Sequence, residues 1–204
     1  TIYIREIISN EIITEKIEET GGSITFSLDD KYIFYSKLDK FHRPRKIFRH
    51  KIGTKVDDDK LIFEEKSEAF TVGINLSSDE KYFIITTSDH NTSEQYFFSV
   101  DEEIPKPKLI KKRKRGIIYS INSWNNYFYN HTNENAEDFK IDRCKDLSNQ
   151  KWEEYVSAKN EVLIGGLIFL NDWIIRSEVS NALGKIFVKN INTNIEEEIK
   201  FTDE

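Results

Sequence analysis

Polar turns followed by short apolar runs recur along this chain, and four of them share one plan. At positions 27–37, Ser27, Asp29 and Asp30 make a polar turn, and Tyr32-Ile33-Phe34-Tyr35 follows as an aromatic and β-branched run with the composition of a strand. The plan returns at Ser77-Ser78-Asp79-Glu80-Lys81 leading into Tyr82-Phe83-Ile84-Ile85, and Lys81 stands 50 positions after Lys31. Weaker copies lie at Ser123-Trp124-Asn125-Asn126-Tyr127-Phe128-Tyr129 and at Leu170-Asn171-Asp172-Trp173-Ile174-Ile175. Short strands returning every ~40–50 residues are the sequence form of β-propeller blades, each a four-stranded sheet, so the pattern predicts an all-β fold.

Turn residues set the boundaries. Residues 1–20 carry two strand-like runs, 2–7 and 12–17, joined at Ser9-Asn10-Glu11, and read as the end of a blade. Blade 21–69 has expected strands at 23–27, 32–37, 46–51 and 60–65, and blade 70–115 at 70–76, 82–87, 94–100 and 108–112. Blade 116–161 follows with 116–121, 126–131, 138–143 and 151–156, and blade 162–204 with 162–169, 173–178, 185–190 and 195–201. The expectation is a single partial β-propeller domain over 1–204, about four and a half blades. The charges of 15–19 would suit a helix, but Ile8, Ile12, Ile13 and Ile17 fit both periods and Gly21-Gly22 arrives too soon. Inner strands, covered on both faces, are expected to be nearly continuous in apolar residues, as at 70–76 and 162–169. The glutamate-rich 195–201 is expected at an outer edge.

Composition narrows the class. A chain of 204 residues that is 38% hydrophobic and 13% aromatic is globular, and only 3 Pro and 8 Gly leave little room for linkers. With no methionine, Thr1 is not a translation start, so the chain is expected to be a fragment of something longer or to lack its first residues. The 30 basic and 36 acidic residues, net charge −6, are spread throughout, which opposes a general nucleic-acid or membrane binder. The apolar stretch at 162–170 is broken by Gly165-Gly166 and falls far short of the ~20 residues that cross a bilayer. One cysteine, Cys144, excludes an internal disulfide and fits a reducing, cytoplasmic setting, with nothing beside it to activate the thiol. The three Asn-x-Ser/Thr triplets, at Asn75, Asn91 and Asn130, read as chance in an Asn- and Ser-rich chain.

The wording of the repeats is recognisable in the segment Leu38-Asp39, Arg43-Pro44, then Ile47-Phe48-Arg49-His50-Lys51-Ile52-Gly53-Thr54. It continues at Phe63-Glu64-Glu65-Lys66, Phe70, Thr92-Ser93-Glu94, Arg113-Lys114-Arg115 with Tyr119-Ser120, Trp152-Glu153-Glu154 and Asp172-Trp173. These residues span essentially the whole chain, and in them it resembles the β-propeller domain of the oligopeptidase B (protease II) group in the prolyl oligopeptidase family of serine peptidases. The resemblance implies a seven-bladed propeller capping a separate α/β-hydrolase domain, whose Ser-Asp-His triad cleaves short peptides after Arg or Lys. It makes that catalytic domain and the peptides passing the channel the expected partners. No Gly-x-Ser-x-Gly nucleophile turn occurs in these 204 residues, and Gly21-Gly22-Ser23 lacks the following glycine. No catalytic residue is carried over, and the chain is expected to be inactive alone.

Within that frame the first strand of each blade lines the channel, and Thr25, Asn75 and Ser120 are the polar members expected to face a peptide. The basic run Lys111-Lys112-Arg113-Lys114-Arg115 reads as an outer strand passing into a solvated turn. Lys112, Arg113 and Arg115 are its candidates for contact with acidic groups on the partner domain. Without interleaved aromatics it makes a poor nucleic-acid site. His42, His50, His90 and His131 are spread over three blades with no metal-site spacing, and read as polar surface or turn residues. Asp57-Asp58-Asp59 lacks the glycine and distal glutamate of a calcium loop and reads as a solvated turn, so no cofactor and no metal are expected. The rival reading is a stand-alone propeller scaffold for protein–protein interaction, although no Trp-Asp blade ending or kelch glycine spacing occurs. An open propeller would also leave apolar faces at its ends and self-associate through them.

Overall fold

Sixteen strands in four separate four-stranded antiparallel sheets make up the fold, seen in a computed structural model that describes residues 1–13 and 16–200. The first sheet is β1 (Thr20–Phe26), β2 (Tyr32–Leu38), β3 (Pro44–Lys51) and β4 (Lys60–Glu64). The second is β5 (Thr71–Leu76), β6 (Tyr82–Ser88), β7 (Ser93–Ser99) and β8 (Lys108–Lys111). Then come β9 (Tyr119–Trp124), β10 (Tyr127–Thr132), β11 (Lys140–Cys144) and β12 (Glu153–Val156). The last sheet is β13 (Val162–Leu170), β14 (Trp173–Ser180), β15 (Leu183–Asn190) and β16 (Glu196–Glu198). In every sheet the strands pair in sequence order, so each blade is a meander. Among the described residues there is no α-helix, only a 3₁₀ turn at Val56–Asp58. The chain divides into two compact units, Thr1–Gly116 and Ile117–Glu204, each holding two sheets.

In the first unit the aromatic run of β2 is explained by burial on both faces. Phe34 joins Ile47, Val72, Ile74, Phe83, Ile85 and Phe98 in a core between the first and second sheets. The Phe34 and Phe83 rings lie 4.5 Å apart, and Phe83 stacks on Phe98 at 5.1 Å. Ile33 and Tyr35 point the other way, onto Ile2 and Ile17 of the N-terminal segment. That segment is less regular than the sequence predicts. It meets itself at single bridges, Ile2 with Ile17 and Arg5 with Ile12, and positions 14–15 of the expected second strand lie outside the described residues. Ile7, Ile8 and Ile12 are exposed there, so the alternation has only one apolar face to serve.

The repeated turn is built twice with the same bonds. The Tyr32 N–H donates to Ser27 Oγ at 3.0 Å, Ser27 Oγ–H donates to Asp29 Oδ1 at 2.7 Å, and the Lys31 N–H donates to the same carboxylate. Fifty residues on, the Tyr82 N–H donates to Ser77 Oγ at 3.0 Å and Ser77 Oγ–H to Asp79 Oδ1 at 2.9 Å. Asp30 and Glu80, the equivalent positions, both take φ 56°. The weaker copies are tighter: Trp124 pairs with Tyr127 and Leu170 with Trp173, leaving two-residue hairpins. Asn125 and Asn126 adopt φ 48° and 63°, which moves β9 and β10 off the expected 116–121 and 126–131.

The second unit centres on Trp124, Tyr129, Ile141, Val156, Ile164 and Ile174. Here the continuous apolar run at 162–169 is buried on one face only. Ile164 is inside, whereas Leu163, Ile168, Leu170, Trp173 and Val179 are exposed on the last sheet. The edge strand expected at 195–201 is the short, exposed β16, and the 201 end of that expectation lies outside the described residues.

Candidate functional site

The polar residues expected along the channel stand on the first strands of three sheets, with different surroundings. Thr25 on β1 is half-buried, and its hydroxyl donates to the Ile74 carbonyl of β5 at 3.1 Å, tying the first sheet to the second. Asn75 on β5 and Ser120 on β9 are exposed. Register explains the difference at β5: Val72 and Ile74 face the core, and Thr71 and Asn75 alternate with them on the open face.

The basic run splits by direction. Lys112, Lys114 and Arg115 are exposed, but Arg113 turns inward at the end of β8. Its Nη2 donates to Glu65 Oε2 at 2.6 Å, to Glu94 Oε1 at 2.9 Å and to Thr87 Oγ1 at 3.2 Å, while its guanidinium lies 4.0 Å from the Phe70 ring centre. The Arg113 N–H also donates to Glu94 Oε2 at 2.7 Å. The two carboxylates are 4% and 6% exposed, so one arginine is shared by two buried acidic side chains and ties the first sheet to the second. Burial alone pushes the Glu94 carboxyl up. The Arg113 guanidinium and N–H, with the Tyr96 hydroxyl, outweigh that and hold it below the usual range. The Tyr96 phenol, half-buried beside Glu94, is pushed up to about 12. Arg45 completes the cluster through the Glu65 carbonyl, which accepts from its Nη2 at 2.6 Å. A cleft of 480 Å³ opens beside Arg113 and Arg115, lined also by Phe70, His90 and Thr92.

His50 and Asp59 depart from the sequence reading. His50 is 0% exposed, and its Nδ1 lies 2.7 Å from Asp59 Oδ1, whose other oxygen accepts from the Tyr35 hydroxyl at 2.8 Å. The third aspartate of the expected solvated turn is thus an internal anchor. It fastens the loop after the 3₁₀ turn to β2 and β3. His131 also points inward, where its Nε2–H donates to the Ile164 carbonyl at 2.7 Å and its ring stacks on Phe139. Burial pushes its pKa down. The Cys144 thiol is buried and pushed up to about 11, chiefly by desolvation. Among the described residues no group of three or more His, Cys, Asp or Glu side chains is placed to hold a metal. One signal for the Arg113 cluster was present in the sequence: β7 opens Ser93-Glu94-Gln95, three polar residues that are all buried at the start of an aromatic strand.

The comparisons agree with this architecture. The model for "Prolyl oligopeptidase, N-terminal beta-propeller domain" matches residues 1–202. Protease 2 of Moraxella lacunata is 33% identical over 154 residues, 74% of this chain and 22% of that protein. Oligopeptidase B from Leishmania major superposes with a TM-score of 0.88 at 17% identity, over 98% of this chain and 30% of that one. The Trypanosoma brucei oligopeptidase B, with covalently bound antipain, gives 0.85 at 20% identity, over 93% and 28%. The chain thus spans less than a third of the length of these relatives. With four meander sheets, the repeated Ser-x-Asp turn and a match to the N-terminal β-propeller domain along nearly all of its length, the chain belongs to the prolyl oligopeptidase family.

Proposed function

We propose that this chain is the non-catalytic propeller portion of an oligopeptidase B-like serine endopeptidase. In this reading it caps an α/β-hydrolase domain and restricts access to short peptides that are cleaved after Arg or Lys. The observation that carries the reading is the propeller-domain match over residues 1–202, combined with the likeness to protease 2. The 204 residues contain no Gly-x-Ser-x-Gly turn, so hydrolysis is assigned to the partner domain. Asn75 and Ser120, exposed on first strands, are the residues proposed to meet the peptide. Lys112 and Arg115, exposed at the end of the second sheet, are proposed for the domain contact, and Arg113 supports them from inside.

Two measurements test this. The purified chain should not turn over a dibasic fluorogenic peptide, and cleavage blocked by a serine-directed inhibitor would overturn the assignment. In the longer protein that carries this segment, a short Arg-containing peptide should be cleaved and a long unfolded chain spared. Equal cleavage of both would remove the access role.

A further inference from the structure

A cleft of 410 Å³ between the first and second sheets, at the end carrying the Ser27 turn and the segment after β7, has no part in the reading above. Its floor is aromatic, made by Phe34, Phe83 and Phe98. Leu28, which is exposed, and Val100 form apolar walls. The rim is acidic: Asp29, Asp101, Glu102 and Glu103 stand against only Lys31 and Arg49.

These charges are not equivalent. Asp29 is committed to its own turn, pairing with Lys31 Nζ at 3.0 Å. Glu102 shapes the loop, its carboxylate accepting from the Ser99 and Lys106 N–H groups at 3.3 and 3.1 Å. Asp101 and Glu103 are exposed, and neither carboxylate has an ion pair among the described residues. One guanidinium of the chain already uses this chemistry: Arg49 lies 4.6 Å from the Tyr32 ring centre, and its Nη1 donates to the Glu103 carbonyl at 2.7 Å. An aromatic and aliphatic slot ending in two free carboxylates matches a side chain with an apolar stem and a cationic head.

We propose that this cleft is a docking site for a basic side chain, arginine or lysine, of an extended peptide. The stem lies between Leu28 and Val100 over the aromatic floor, and the head reaches Asp101 and Glu103. The site stands on the geometry of the first unit and does not depend on the hydrolase-capping role, since it is read by binding alone.

The test uses the whole 204-residue chain and a short Ala-Arg-Ala peptide with blocked ends, followed by amide chemical-shift mapping and titration. Shifts are expected at residues 27–32 and 99–103. Replacing the peptide arginine by norleucine, which keeps the stem and removes the charge, should weaken binding about tenfold, as should the double variant Asp101→Asn/Glu103→Gln. Both acids are exposed, so the variant should keep the parent melting temperature. Leu28→Ala should weaken binding about threefold through the stem alone. Equal affinity for the norleucine peptide, unchanged affinity of the folded double variant, or shifts confined to other residues would each overturn the proposal.

Discussion

Replacing Arg113 by alanine tests whether the two buried glutamates are held by this one cation. In the native protein Glu65 and Glu94 sit 2.6 and 2.9 Å from its Nη2, and the Arg113 side chain itself is 24% exposed. Breaking a buried pair by removing one partner costs about 3–5 kcal/mol. Partial solvent access to the guanidinium puts the expectation at the lower end, about 3 kcal/mol. Such a loss raises local opening on the order of 100-fold. Hydrogen–deuterium exchange of peptides covering β7 and β8 should show that acceleration, because protection there reports the opening equilibrium. The pH dependence supplies a second signature. In the parent, Glu94 has a folded pKa below its unfolded value. Its contribution is present above the unfolded pKa of about 4.3 and is lost as pH falls through the folded pKa. Without Arg113, desolvation dominates and the folded pKa rises above the unfolded one, so the variant should regain protection as the pH is lowered from neutrality through the raised folded pKa. Arg113→Lys keeps a charge but loses the fork, and should fall between. An acceleration below about fivefold, or a variant whose exchange follows the parent's pH profile, would refute the clamp.

Gly165→Ala should destabilise the second unit by about 1–3 kcal/mol, because a Cβ there would clash with Ser177 Oγ and lie 2.9 Å from the Ser177 carbonyl oxygen. Gly166→Ala meets nothing within 4 Å and should be neutral, and thermal melts followed by fluorescence of Trp124, Trp152 and Trp173 separate the two. Tyr35→Phe removes a hydrogen bond to the buried Asp59 and should cost about 1.5–3 kcal/mol in urea denaturation; a loss below about 0.5 kcal/mol contradicts the anchor role. Cys144 should react with a disulfide reagent at pH 8 at least about 100-fold more slowly in the native chain than in urea, since its thiol is buried and pushed up to about 11. Light scattering should show concentration-dependent association of the isolated chain through the exposed face of the last sheet, and a heat-resistant monomer would oppose it.

Features encoded by neighbours in sequence were legible before the structure. The run Tyr32-Ile33-Phe34-Tyr35 reads as a strand because alternate residues meet different cores, and the Ser27 and Ser77 turns announce themselves because their bonds close within five residues. Strand ends slipped where left-handed residues decide them, as at Asn125 and Asn126. The local chemistry was harder to read because its partners are distant. Arg113 sits among five basic residues that suggest a solvated turn, yet its direction is set by Glu65 and Glu94, 48 and 19 positions away. Asp59 closes a run of three aspartates, and only the pairing of β2 with β3 brings His50 and Tyr35 to it. The one-sided burial of β13 was equally hidden, since an apolar run does not say which of its faces is covered.

Because every sheet pairs its four strands strictly in the order they are synthesised, none has to wait for a distant segment before its hydrogen bonds can close. A nascent chain can therefore complete one sheet while the next is still inside the ribosome. The same property lets a gene gain or lose a whole sheet without rethreading the others, and the 50-residue echo between Ser27 and Ser77 is the kind of trace that ancestral duplication leaves.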